Sequence, residues 1–147
     1  MKTKILFIFL TLTLTVAAQG KRNFPSFTEL TERKWQEIST KANLTDDEKK
    51  AVYPIFLEYE NANFELNKTM WDTFRSVRAG KKTSENINFA EINDLYIDNE
   101  VKQATLTKNY HEKLKKLLAP EKLFDFYMAE RNFKRNLMHN IPNKNKK

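Results

Sequence analysis

The sequence predicts an all-α protein of about four helices. Its 147 residues include only two glycines and four prolines against 31% charged residues. That composition suits long helices and leaves little material for hairpins or Gly-rich phosphate loops. Apolar residues recur at helical spacing along most of the chain, with no competing strand alternation. Two pentads, LTDDE (Leu44 to Glu48) and LAPEK (Leu118 to Lys122), each stand directly before such a run and read as helix starts.

Residues 1–18 read as a segment outside the fold. Lys2 and Lys4 precede the apolar stretch Ile5 to Val16, and Ala17 and Ala18 follow. The stretch is about 12 residues long, short of the roughly 20 that span a bilayer. Charged start, short apolar middle and small-residue end match a cleaved secretory signal, which predicts an exported mature chain with no integral membrane span. No cysteine occurs, so a lipoprotein anchor, a disulfide framework and thiolate chemistry are all excluded. Removal of Lys2 and Lys4 lowers the net charge of +7 by two. For an exported protein, that residual charge points to acidic proteins, lipid head groups or lipopolysaccharide and away from nucleic acid, or else serves only to keep the protein soluble.

The mature chain opens with a lead-in, 19–25. Ser26 and Glu29 have capping-box spacing, and the first helix is expected to run to about Lys41, with Thr31, Trp35, Ile38 and Ala42 on one face. The second helix starts with Thr45 as N-cap. Glu48 reaches back to the Thr45 N–H, and Asp46 and Asp47 complement the helix dipole. It is expected to continue to Ala79-Gly80, about 34 residues or about 50 Å. Pro54 removes one hydrogen bond and crowds the Lys50 carbonyl, which predicts a bend without an end. Gly80 to Ile87 is a polar connection. The third helix is expected from Phe89 to Leu117. The fourth starts with Pro120 at a position that tolerates proline and ends near Ile141. The helical domain thus spans 26–141, with a basic disordered tail at 142–147.

The core stripes are Val52, Ile55, Phe56, Tyr59, Ala62, Leu66, Met70, Phe74 and Val77 on the second helix, Phe89, Ile92, Leu95, Tyr96, Leu106, Tyr110, Leu114 and Leu117 on the third, and Leu123, Phe126, Tyr127, Phe133, Leu137 and Ile141 on the fourth. The second helix also carries Tyr53, Leu57, Phe64 and Trp71 on a line rotated by about 120°. So wide an apolar arc needs a cover: the first helix, a second copy, or an apolar, acidic partner. The fourth helix has a mixed face of Phe124, Met128, Arg131 and Arg135. These eight residues are the candidate protein-binding positions.

No catalytic site is expected. His111 and His139 have no second histidine three or four residues away, and no Glu-x-x-His pair occurs, so neither a helical zinc site nor a di-iron site is predicted. The serines sit in no nucleophile-elbow pattern. The sequence therefore predicts no metal, no cofactor and no enzyme.

The two pentads, placed at helix starts in an exported helical chain, resemble the LTxxQ motifs of the Spy/CpxP-type family of periplasmic proteins, in its Bacteroidetes branch. LTDDEKKAVYPIFLEYE is similar to the first motif and its helix, and KLKKLLAPEKLFDFYMAERNFKRNLM to the second. On this basis Leu44, Thr45, Glu48, Leu118, Pro120 and Glu121 are motif positions. Glu48 stands where the motif has Gln. In the second copy Ala119 replaces Thr and Lys122 replaces Gln, which removes the reciprocal cap. The resemblance implies a bent antiparallel helical hairpin that pairs into a cradle-shaped homodimer. It also implies ATP-independent chaperone activity in the envelope stress response; the doubled apolar arc of the second helix and the mixed face of the fourth would then hold unfolded polypeptides on a basic and apolar concave face. The alternatives it implies are a regulator that binds a periplasmic signalling partner in sigma-factor or two-component signalling, and a metal sensor.

Overall fold

A computed structural model of the chain describes residues 25–83 and 86–139. The signal segment, nearly all of the lead-in, the expected helix end at Ile141 and the basic tail lie outside the described residues. Among the described residues there are four helices and no strand: α1 Phe27–Lys41, α2 Asp46–Thr83, α3 Phe89–Leu114 and α4 Pro120–His139.

Local chemistry sets the helix boundaries. Ser26 and Glu29 form a complete capping box at the start of α1, with the Ser26 N–H donating to Glu29 Oε2 at 2.7 Å. The end of α1 is a Schellman closure. Leu44 N–H donates to the Ser39 carbonyl and Asn43 N–H to that of Thr40. Asn43 takes the left-handed position with φ 48°, a conformation asparagine tolerates better than most residues. Thr45 then caps α2: its N–H donates to Glu48 Oε2 at 2.7 Å, and Glu48 N–H donates to Thr45 Oγ1 at 3.3 Å. The helix runs unbroken through Pro54, which is exposed, so the Lys50 carbonyl it deprives of a donor can turn to water. It also runs past Ala79-Gly80, the end expected from the sequence, to Thr83. The third helix stops at Leu114, three residues before the expected Leu117. Turn bonds from Leu117 and Leu118 back to the Leu114 carbonyl reverse the chain and bury Leu118.

Cross-helix pairs fix the topology. Glu58 meets Lys113, Tyr59 stacks on Tyr110, Asn67 accepts from Gln103, and Phe74 faces Tyr96. As α2 ascends in number α3 descends, so the two form an antiparallel hairpin. The first helix folds back on α2 through Phe27–Phe64 and Trp35–Phe56 ring contacts. The fourth lies beside α1, joined by the Lys34–Glu130 ion pair.

The buried core gathers Trp35, Ile38, Leu44, Val52, Phe56, Tyr110, Leu114, Leu118, Leu123 and Phe126, with contributions from all four helices. It occupies only one end of the hairpin. Phe27, at the start of α1, reaches Phe64, and Leu137, near the end of α4, lines a cavity with Asn63. Beyond that level the described residues contain only α2 and α3. Glu65 to Thr83 extends about 28 Å further at 1.5 Å per residue.

Candidate functional site

The two-helix arm cannot bury everything its sequence carries. Each helix there has one neighbour, so apolar residues off the α2–α3 seam stay in water. Trp71 is 60% exposed, Ile97 59% and Val101 60%, and Phe74, Phe89 and Tyr96 are exposed as well. Ile97 and Val101, four residues apart, share one face of α3. Phe74 and Tyr96 meet at a ring-centroid distance of 6.2 Å. Of the core stripes read from the sequence, the distal parts are left open, with Phe74, Phe89 and Tyr96 exposed and Val77, Ile92 and Leu95 only half-buried; Leu117, in the turn after α3, is exposed as well, because the chain reverses there to bury Leu118 instead.

The second apolar line of α2 divides between the two regions. Tyr53 lies against Trp35 at 5.1 Å and donates from its hydroxyl to Glu32 at 2.9 Å, which raises its pKa. Leu57 is half-buried against the core, and Phe64 stacks on Phe27 at 4.2 Å. The first helix therefore packs over these positions, and Trp71 lies past its reach.

The mixed face of α4 is exposed along its length. Phe124 is 63% exposed, and Met128, Arg131 and Arg135 follow on the same side of the helix. Toward the C-terminus Arg131, Lys134, Arg135, Met138 and His139 line a shallow concavity of about 430 Å³. Arg131 and Lys134 also border a deeper cavity of about 410 Å³ between α1, α2 and α4, which Phe27, Leu30, Phe133 and Leu137 line with apolar surface.

The floor of that deeper cavity is polar. Lys34 donates to Glu60 Oε1 at 2.7 Å and lies 3.2 Å from Glu130 Oε1. The second approach is close but poorly directed, and Glu130 Oε1 is left without a hydrogen bond. Burial alone would pull the Lys34 ammonium down, but Glu130 and Glu60 outweigh it, and its pKa is raised. Burial raises Glu130, with Glu60 adding to the effect and Lys34 opposing it. The Tyr110 hydroxyl, buried near the same carboxylates, also has no partner, and burial pushes it far up. Tyr127, likewise raised by burial to about 12, pairs its hydroxyl with His111 Nδ1 at 2.9 Å. Among the described residues no three His, Cys, Asp or Glu side chains converge as a metal site.

The two pentads meet. Leu44 and Leu118 are both buried in the same core cluster. The last residues of the two pentads, Glu48 and Lys122, form a bidentate ion pair with Nζ 2.7 and 3.0 Å from the two carboxylate oxygens. The Lys122 hydrogen bonds, aided by the Thr45 N–H, hold the Glu48 carboxyl below its ordinary pKa. Pro120 and Glu121 occupy the exposed first turn of α4. Sequence reasoning missed the Glu48–Lys122 pair and the Lys34–Glu60–Glu130 cluster. The first was detectable as two opposite charges at equivalent pentad positions. The second had no local signal.

No protein-family model matches the chain, and neither a curated protein nor a solved structure shows significant similarity to it.

Proposed function

We propose that this protein is a chaperone-like factor of the periplasm that holds unfolded polypeptides without ATP, in the manner implied by its resemblance to the Spy/CpxP-type LTxxQ family. One observation carries the reading: the distal α2–α3 arm presents Trp71, Ile97 and Val101 to solvent at about 60% exposure each, with no described helix to cover them. Contiguous exposed apolar patches mark interaction surfaces, and Trp71 on α2 with Ile97 and Val101 on α3 supplies the large residues for one on this two-helix arm. The Phe124, Met128, Arg131 and Arg135 face of α4 adds cations that suit acidic stretches of a client. The homodimer implied by the resemblance would draw on the same open arm.

Only two tryptophans occur, and Trp35 is buried. In a Trp35→Phe background, Trp71 fluorescence reports on the arm alone. Addition of a reduced, unfolded client is expected to shift that emission to the blue and saturate near equimolar client. An emission unchanged by client, in a protein that remains folded by circular dichroism, would remove the arm from the account.

The second reading is a regulator that binds one periplasmic signalling partner, and the mixed face of α4, with exposed Phe124 and Met128 beside Arg131 and Arg135, favours it. Co-purification from envelope extracts separates the two: one stoichiometric partner supports the regulator, a broad set of clients the chaperone.

A further inference from the structure

At the C-terminal end of α4, Arg131 and Arg135 of the mixed face are joined by Lys134, Met138 and His139, which the proposed polypeptide binding does not use. Arg131, Lys134, Arg135, Met138 and His139 surround one concavity, and no acidic residue lines it. Among the described residues none of the three Arg and Lys side chains takes part in an ion pair. Arg135 spends one N–H on Asn132 Oδ1 at 3.0 Å. Met138 is 65% exposed in the middle of this group. Compensation of the helix dipole explains a cation or two in a last turn. It does not explain an exposed methionine among them.

Phe27 and Leu137 line one cavity, so the start of α1 and the end of α4 are neighbours. Cations clustered around an exposed apolar side chain are complementary to the interface of an anionic bilayer, where phosphates meet the cations and the apolar group enters between head groups.

We propose that the C-terminal end of α4 is a docking surface for anionic lipid, with Arg131, Lys134 and Arg135 on the phosphates and Met138 inserted among them. An acidic protein would use the cations but gain little from a single methionine in a shallow concavity. No described helix is long and apolar enough to cross a membrane, so the contact is peripheral.

The test uses residues 19–147, which retain every described residue, and co-sedimentation with vesicles of phosphatidylglycerol mixed with phosphatidylcholine. Binding is expected to the mixed vesicles, to weaken as salt rises, and to be absent with phosphatidylcholine alone. The Arg131→Glu/Arg135→Glu variant is expected to bind about tenfold or more weaker, since each cation at an anionic surface carries a substantial share of the affinity. Arg75→Glu/Arg78→Glu makes the same charge change on the distal arm and is expected to retain binding. Met138→Ser, which changes no charge, should also weaken it. Equal losses in the two double variants would reduce the effect to net charge and overturn the proposal. Binding to polyglutamate as tight as to vesicles, or vesicle binding unaffected by Met138→Ser, would overturn it in favour of an acidic polypeptide.

Discussion

Glu48 and Lys122, 74 positions apart, are joined by a bidentate ion pair that ties the first turn of α2 to the first turn of α4. Each stands where the motif of the resembled family has a glutamine, and each departure is complementary to the other. Glu48 has two tasks, accepting from Lys122 and from the Thr45 N–H. A neutral glutamine could perform the second without the first.

Lys122→Ala is expected to cost about 1 kcal/mol, the upper end for a partly exposed pair because the geometry is bidentate. In a Glu48→Gln background the same change should cost no more than a few tenths. Urea denaturation of the four proteins measures the coupling, and a background-independent cost would mean the pair contributes nothing. The pair holds Glu48 below its ordinary pKa, so its contribution is present above that ordinary value and is lost as pH falls through the lowered one.

Thr45→Ala removes the side-chain half of the α2 cap and is expected to cost about 1 kcal/mol by denaturant unfolding. An unchanged midpoint would show that the Glu48 half of the box is sufficient.

Tyr110→Phe is expected to stabilise the protein by about 1 kcal/mol. The hydroxyl is buried without a partner, and such a group costs about 1–3 kcal/mol that its removal returns. The stacking on Tyr59 survives in phenylalanine. A destabilised variant, read by thermal unfolding, would place an unseen partner on that oxygen.

Glu130→Gln should flatten the pH dependence of stability. Burial raises the Glu130 pKa, so the folded state holds its proton more tightly than the unfolded chain does. Stability therefore rises as pH falls from the raised value toward the ordinary carboxylate value, and declines again as pH increases. The variant should lack that slope in a series of melting temperatures across the window. An identical slope in both proteins would assign it to another group.

Much of the fold was legible because it is written locally. Ser26 with Glu29 and Thr45 with Glu48 are short-range caps, and Pro120 marks a start by its own ring. The stripe through Val52 and Phe56 needed only helical spacing. The boundaries that moved depend on partners. Gly80 does not stop α2, since a cost of about 1 kcal/mol for one interior glycine is small against a 38-residue helix paired with α3. The third helix ends early because Leu118 must turn into the core. The exposure of Phe74 and Tyr96 could not be read from spacing, because it depends on how far α1 and α4 extend along the hairpin. The Lys34 cluster joins three helices, and no sequence window contains it.

The claim that the open arm holds unfolded polypeptide is tested most directly by light scattering of a reduced, aggregating client at equimolar protein. The account predicts that the native protein suppresses aggregation and that Trp71→Ser/Ile97→Ser/Val101→Ser, still folded and with an unchanged melting temperature, does not. Full suppression by the triple variant, or none by the native protein, would contradict it.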